Sequence, residues 1–356
     1  MGMRVTVLGA GIVGLTVADE LRRRGHAVTV VDPCPAQGAS YAAAGMLSPA
    51  AEVWHGEEDV LRLGLASLAL WPDLAARLGV DLRANGTLLV GYDAGDVQQV
   101  ERQVALVARH GHAAELLTSA AVRAFEPCLA RTAGGALLVA EGSVDARAVC
   151  AALLRRVPVV ATDPGDADIT VVATGARLPE PWRHLVRGVR GEVLRLRSDD
   201  PPSRTVRGWS GGEPVYLVPR ADGEVVVGAT SEEHAAPAVV TAGGVLRLLA
   251  AARALWPALD RADLLEATAR DRPATADGLP LVGPSGVDGV LLAAGHYRHG
   301  VLLAPLTAAL VADHLESGVV DPAVDPRRLL APALAGSPDT HEAPDSHEAP
   351  EARGSR

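Results

Sequence analysis

The apolar positions of this chain switch between two periods, and the switches mark its elements. Arg4–Leu8 is a short apolar run rich in β-branched residues, as a buried strand requires. After Gly9-Ala10-Gly11-Ile12-Val13-Gly14, apolar residues at 12, 13, 15, 18 and 21 recur at helical spacing. That run ends on three arginines and Gly25, a helix stop. Ala27–Val31 predicts a second strand, with Asp32 at its end. Residues 38–49 are small, with one methionine and no clear period. The pattern then predicts a helix over 57–78, a strand over 87–92, a helix over 97–110 and a strand over 136–139. A helix over 145–156 and a buried strand over 168–173 follow, the strand ending in Thr174-Gly175. Strand signals dominate 186–230, at 189–196, 214–218 and 224–229. A helix over 245–256, a strand over 289–294 and a helix over 301–315 complete the pattern.

The order is βαβ, then a mixed region, then a return to βα. It predicts an α/β protein whose Rossmann-type nucleotide-binding lobe is discontinuous, built from residues 1–50, 140–182 and 268–330. A second lobe rich in antiparallel sheet takes 51–139 and 183–267. Residues 337–356 contain a repeated Asp-x-His-Glu-Ala-Pro unit, polar and without apolar anchors, and are expected to be disordered.

Charge and composition narrow the chemistry. A net charge of −10 with no basic tract argues against nucleic acid or anionic membrane as partner. All 33 basic residues are arginine, which excludes a Schiff-base lysine and a P-loop lysine. Cys34, Cys128 and Cys150 are widely spaced and odd in number, so neither a disulfide framework nor a zinc site is expected. These features, with no signal peptide and no apolar run of bilayer length, lead us to expect a cytoplasmic protein.

The glycine loop carries the first chemical signal. Gly9 permits a tight turn, Gly11 lets backbone approach a pyrophosphate, and Gly14 allows close helix–strand packing. Ile12 and Val13 open the helix, whose positive end faces the phosphates. Asp32, eighteen residues beyond Gly14, is placed to accept hydrogen bonds from ribose hydroxyls. The motif alone does not separate FAD from a nicotinamide cofactor. Behind it, Ala43, Ala44 and Gly45 are small enough for backbone to lie against a flat ring, or for a tightly packed helix start.

Four stretches together resemble the D-amino-acid oxidase superfamily of FAD-dependent oxidoreductases. They are the glycine loop; residues 39–47 with Pro49 and Glu52; Tyr216-Leu-Val-Pro-Arg220 with Val226-Val-Gly-Ala-Thr230; and Arg272-Pro-Ala-Thr-Ala-Asp-Gly-Leu-Pro280 with the run from Gly295 to Pro305. Within that superfamily the wording is most similar to the glycine oxidases of thiamine biosynthesis. The resemblance spans about residues 4–315. It implies that Arg272 holds the substrate carboxylate, with Tyr216 beside it. It also implies that Arg298 lies at the substrate and flavin end, and that Met46 lines the substrate side of the ring. Gly295, His296, His299, Gly300, Val301 and Leu302 match the segment that approaches the flavin, and Thr174-Gly175 a strand end near the nucleotide. Read from the residues alone, Arg272 could instead pair with Asp271 at the surface, and Tyr216 could be a packed strand residue. His296 and His299 lack a third ligand type nearby, so no metal is expected.

The implied reaction is hydride transfer from Cα–H of a small amino acid to flavin N5, with oxygen as electron acceptor and hydrogen peroxide as product. The imine hydrolyses or passes to a thiazole synthase. No protein base is required if the amine binds neutral, which suits a site with no obvious carboxylate. No cysteine follows Cys150, so the FAD is expected to be non-covalent, unlike that of many sarcosine-type oxidases. A homo-oligomer is compatible with this reading. A sarcosine-type or other secondary-amine oxidase, a carrier-linked amino-acid dehydrogenase and a flavin-less relative of the fold are the rival readings. Residues 144–175 and 196–202 are short against the family pattern, and a flavin contact that the resemblance implies for a β-branched residue there could fall on Val159 or Val160.

Overall fold

The computed structural model describes residues 2–330, so the repeat within 337–356 lies outside the described residues. Two large sheets organise the chain. The six-stranded sheet runs Leu281–Pro284, Val290–Ala294, Ile169–Val172, Arg4–Leu8, Ala27–Val31, Val159–Val160. All its pairs are parallel except that of Leu281–Pro284 with Val290–Ala294. Parallel strands need both faces covered. Helix Ile12–Arg23 buries Leu15, Ala18 and Leu21 in the same core as Ala308, Val311 and Ala312 of helix Gly300–Ser317.

The shortened region completes this sheet. Val159–Val160 pairs with Val30 and Val31 at its edge, and Asp32 N–H donates to Val160 O (3.0 Å).

The eight-stranded sheet runs Asp263–Ala274, Arg187–Arg197, Glu224–Gly228, Glu213–Pro219, Thr205–Ser210, Thr87–Gly91, Gly134–Leu138, Glu115–Thr118. One pair is parallel, Thr205–Ser210 with Thr87–Gly91, and the rest are antiparallel. Helix Ala242–Leu255 packs Leu248, Ala252 and Leu255 against Leu194, Val206 and Leu217. Helix Ala94–Arg109 packs Val100, Val104 and Val107 against Leu89 and Ala136. Its start is fixed by a capping box between Asp93 and Asp96.

Several elements differ from expectation. The helix over 57–78 is two, Glu58–Leu68 and Trp71–Leu78. Pro72 has no N–H to give the carbonyl of Leu68, so the periodicity continues while the helix breaks. The longest strand, Asp263–Ala274, was not anticipated. Glu266, Arg270, Asp271 and Arg272 interrupt any apolar alternation, and pairing with Arg187–Arg197 supplies the order instead. The expected lobe boundary at 267/268 falls inside this strand. Strands Thr205–Ser210 and Leu281–Pro284 were also not anticipated. Residues 38–49 are not featureless: Ala39–Ala42 is a helical turn, and Met46–Leu47 pairs with Gly142–Val144 in a small three-stranded sheet.

Candidate active site

The glycine loop is shaped by backbone. Gly9 has φ +103°, and a Cβ there would lie 2.4 Å from Ala173 O. A Cβ on Gly14 would lie 2.0 Å from Gly9 O, so only glycine lets the helix approach the strand. Helix Ile12–Arg23 begins at Gly11, which offers no side-chain cap. Its N–H groups are thus left to an outside acceptor, and Ser40 Oγ already takes that of Ile12 (2.9 Å). Asp32 is held in place because Oδ2 accepts from Ala10 N–H (2.7 Å) and Oδ1 from Cys34 N–H (2.8 Å).

A cavity of about 690 Å³ runs from this loop to the eight-stranded sheet. Gly9, Gly11, Ile12, Val13 and Asp32 line one end. Ala43, Ala44, Gly45, Met46, Thr174, Gly175, His296, Gly300 and Val301 line its course, and Tyr216, Arg272 and Arg298 also face it. Four residues expected at the cofactor do not line it: Gly14, Gly295, His299 and Leu302. Gly14 and Gly295 clear space for neighbouring chain, since a Cβ on Gly295 would lie 2.4 Å from Thr275 Cγ2. Leu302 O accepts from Ser67 Oγ (2.6 Å) and Trp71 Nε1 (3.0 Å). His299 is buried with neither ring nitrogen partnered, and burial, then the nearby Arg298, holds its imidazole well below the ordinary range. Val159 and Val160 do not reach the cavity.

The end of the cavity at the eight-stranded sheet is built from side chains lying across glycines. Arg272 crosses Gly191, where a Cβ would lie 2.4 Å from Nη1. Nη1 donates to Thr230 O (3.1 Å) and, more weakly, to Arg190 O (3.4 Å). Asp271 does not take Arg272 as partner; it pairs with the buried Arg190 at 2.6 Å. Tyr216 lies across Gly228, where a Cβ would lie 2.2 Å from the hydroxyl. Burial pushes the Tyr216 phenol up, while the nearby Arg272 pulls it down.

The structure also corrects the expectation of a site without a carboxylate. Glu52 is buried, lines the cavity, and pairs with Arg207, another lining residue, at 3.5 Å. Arg207 Nε donates to Ala51 O (3.1 Å). Glu52 stands in one of the stretches that carry the family resemblance, but Arg207 comes from an unanticipated strand. Nothing in the sequence pairs two residues 155 positions apart.

The residues fit a bound FAD. The cavity is long and continuous, its glycine end offers uncapped helix N–H groups, and the buried Thr174 Oγ1 on its wall has no partner. Arg207 and Arg298 are paired with Glu52 and Glu57, while Arg177, Arg270 and Arg272 line the cavity with no ion-pair partner among the described residues, which suits an anionic cofactor and an anionic substrate group. Cys150 lies buried in another helix, and burial pushes its thiol up to about 12, so it is no nucleophile. Among the described residues no helix is long and apolar enough to cross a membrane.

Comparison with known proteins gives the same picture. Residues 4–158 and 154–314 match the model of the FAD dependent oxidoreductase family. A Rhizobium etli protein named for a thiamine biosynthesis oxidoreductase, ThiO, is 37% identical, covering 88% of this chain and 96% of that protein. A bifunctional ThiO/ThiG protein of Trichormus variabilis is 32% identical over 89% of this chain, which spans only 53% of that longer protein. The crystal structure of glycine oxidase from Geobacillus kaustophilus superposes with a TM-score of 0.81 at 30% identity, covering 91% of this chain and 97% of that one.

Proposed function

The chain belongs to the FAD dependent oxidoreductase family, and from that premise we propose that it oxidises glycine or another small amino acid to the imine. Bound FAD supplies the hydride acceptor and then the electron pair that reduces oxygen to hydrogen peroxide. The protein supplies binding and alignment. Arg272 and Tyr216 take the substrate carboxylate, and their seats over Gly191 and Gly228 fix where Cα sits. Asp32 and the glycine loop hold the ribose and pyrophosphate, while His296, Gly300 and Val301 present backbone to the ring. Residues 1–50, 140–182 and 268–330 make the cofactor lobe and 51–139 with 183–267 the substrate lobe, except that helices Glu58–Leu68 and Trp71–Leu78 pack into the cofactor-lobe core and the strand Asp263–Ala274 crosses the seam. The glycine oxidase and ThiO relatives support the substrate class, and the ThiO/ThiG relative supports transfer of the imine to a thiazole synthase.

The observation that carries this reading is the cavity itself, with a dinucleotide loop at one end and a glycine-seated arginine and tyrosine at the other. The test is anaerobic mixing with glycine, sarcosine and a matched amine lacking the carboxylate. We expect the amino acid to bleach the flavin spectrum, with oxygen then restoring it and releasing peroxide. Faster bleaching by the plain amine refutes the amino-acid assignment. Acid precipitation should leave FAD in the supernatant; flavin retained on the chain refutes a non-covalent cofactor.

A further inference from the structure

The chain between Glu52 and Glu58 passes the cavity as a tight turn. Glu57 N–H donates to Trp54 O (3.1 Å), and Gly56 adopts φ +89°. Trp54 lines the cavity while remaining 49% exposed, so its indole lies at the rim. Single exposed aromatics are ordinary on protein surfaces. What distinguishes this one is how its backbone is held. Glu57 Oε2 accepts both the Trp54 N–H (2.9 Å) and Arg298 Nη2. The same Arg298 nitrogen donates to Glu52 O (3.0 Å). Gln103 Nε2 closes the other side, donating to Ala50 O (2.6 Å) and Val53 O (2.8 Å). A cavity-lining arginine is thus spent on fixing the turn that carries Trp54.

We propose that Trp54 is a specificity-determining wall of the substrate mouth, and that Arg298 is a positioning residue that sets it through Glu57. The inference rests on the reading of this cavity as an amino-acid oxidase site. With the carboxylate clamped at Arg272, the rest of the substrate projects into the space bounded by the Glu52–Arg207 pair and Trp54. An aromatic side chain on a backbone held at that rim admits small substrates and turns away longer ones. An apolar wall discriminates by roughly 10- to 200-fold per methylene.

Non-reacting carboxylates test this without relying on turnover. Acetate, butyrate and phenylacetate are titrated into the FAD-loaded protein, and the flavin absorbance reports Kd. In Trp54→Ala we expect phenylacetate to bind at least roughly tenfold tighter than in the parent, with the acetate Kd unchanged. Glu57→Gln, which keeps the indole but weakens its anchor, should shift the same ratio by less. If phenylacetate gains nothing in Trp54→Ala, or if acetate and phenylacetate shift equally, Trp54 is a surface residue and the proposal fails. If Glu57→Gln leaves the ratio at the parent value, the positioning role of Arg298 fails. Anaerobic reduction of the parent by glycine is scored separately. A size shift in a protein that glycine does not reduce removes the oxidase reading and leaves the wall.

Discussion

The two ends of the cavity are built on opposite principles. The end proposed for the nucleotide is backbone, taken from one contiguous stretch, with glycines forced by contacts of 2.0–2.4 Å and one carboxylate locked by two N–H groups. The end proposed for the substrate is side chain, collected from four places: Arg272 and Tyr216 on separate strands, Arg207 on a third, and Glu52 on a four-residue helix. Backbone N–H groups share the work of holding a cofactor, so no single one dominates. Side chains that clamp one carboxylate concentrate it. Substitutions should therefore separate the ends, with large losses of turnover at one and moderate losses of cofactor affinity at the other.

The largest expected effect is at Arg272. Removing one partner of a desolvated charge pair costs on the order of 2–5 kcal/mol, so Arg272→Ala should lower kcat/KM for glycine by roughly 30- to several-thousand-fold. FAD content should be unchanged. Arg272→Lys should recover only part, because a point charge cannot reproduce the planar fork. A plain amine should react equally slowly with parent and variant. Loss of FAD in step with activity would show that the two ends are one structural unit.

A smaller effect is expected at Asp32. Asp32→Ala should weaken FAD binding by about 1.5–3 kcal/mol, the range for hydrogen bonds to a charged group. The glycine KM of the FAD-saturated variant should match that of the parent. Equilibrium dialysis of FAD measures the first and steady-state kinetics at excess FAD the second. Unchanged FAD affinity would remove Asp32 from the ribose.

The contrast between the ends also explains what the sequence reveals. The βαβ start is legible because every constraint on it is local: strand period, glycine turn, helix period and terminal acid follow one another within residues 4–32. Arg272 and Tyr216 are legible only through the wording around them. Their strand partners, and the glycines beneath their side chains, come from elsewhere in the chain. The strand Asp263–Ala274 is hidden because its charges find partners across the fold: Glu266 with Arg147, Asp271 with Arg190, Arg270 with Gln37 O. Glu52 and Arg207 become a pair only when the Pro49–Glu52 turn is laid against the sheet. Pro72 is visible, yet the apolar period across it continues because both flanking helices bury the same face in one core, Leu63 on one and Trp71 on the other.

The smallest expected effect concerns His296, which belongs to neither end. It lies on the course between them, with Nε2 2.8 Å from Thr307 Oγ1. Burial pushes its imidazole down to about 4 from an ordinary 6.5. The folded protein therefore keeps the ring neutral, while the unfolded chain takes up a proton once the pH falls below about 6.5. Its contribution to stability is present above that pH and is lost as the pH falls toward 4. Glu141 works the other way. Burial raises its carboxyl to about 7, so its contribution is present at low pH and lost as the pH rises through 7. The two partly offset each other between pH 7 and 5 in the parent, and the comparison must be made against variants. From pH 6.5 to 5, His296→Gln should gain about 1–2 kcal/mol relative to the parent in denaturant unfolding. Glu141→Gln should gain on the parent in the opposite direction, as the pH is raised from 5 to 8. His299, also buried, shifts in the same sense as His296, so the single variant should flatten the acid limb without abolishing it. Parallel stability curves for parent and His296→Gln would mean that the ring is equally free to protonate in the folded protein. The cavity wall at His296 would then be open to water.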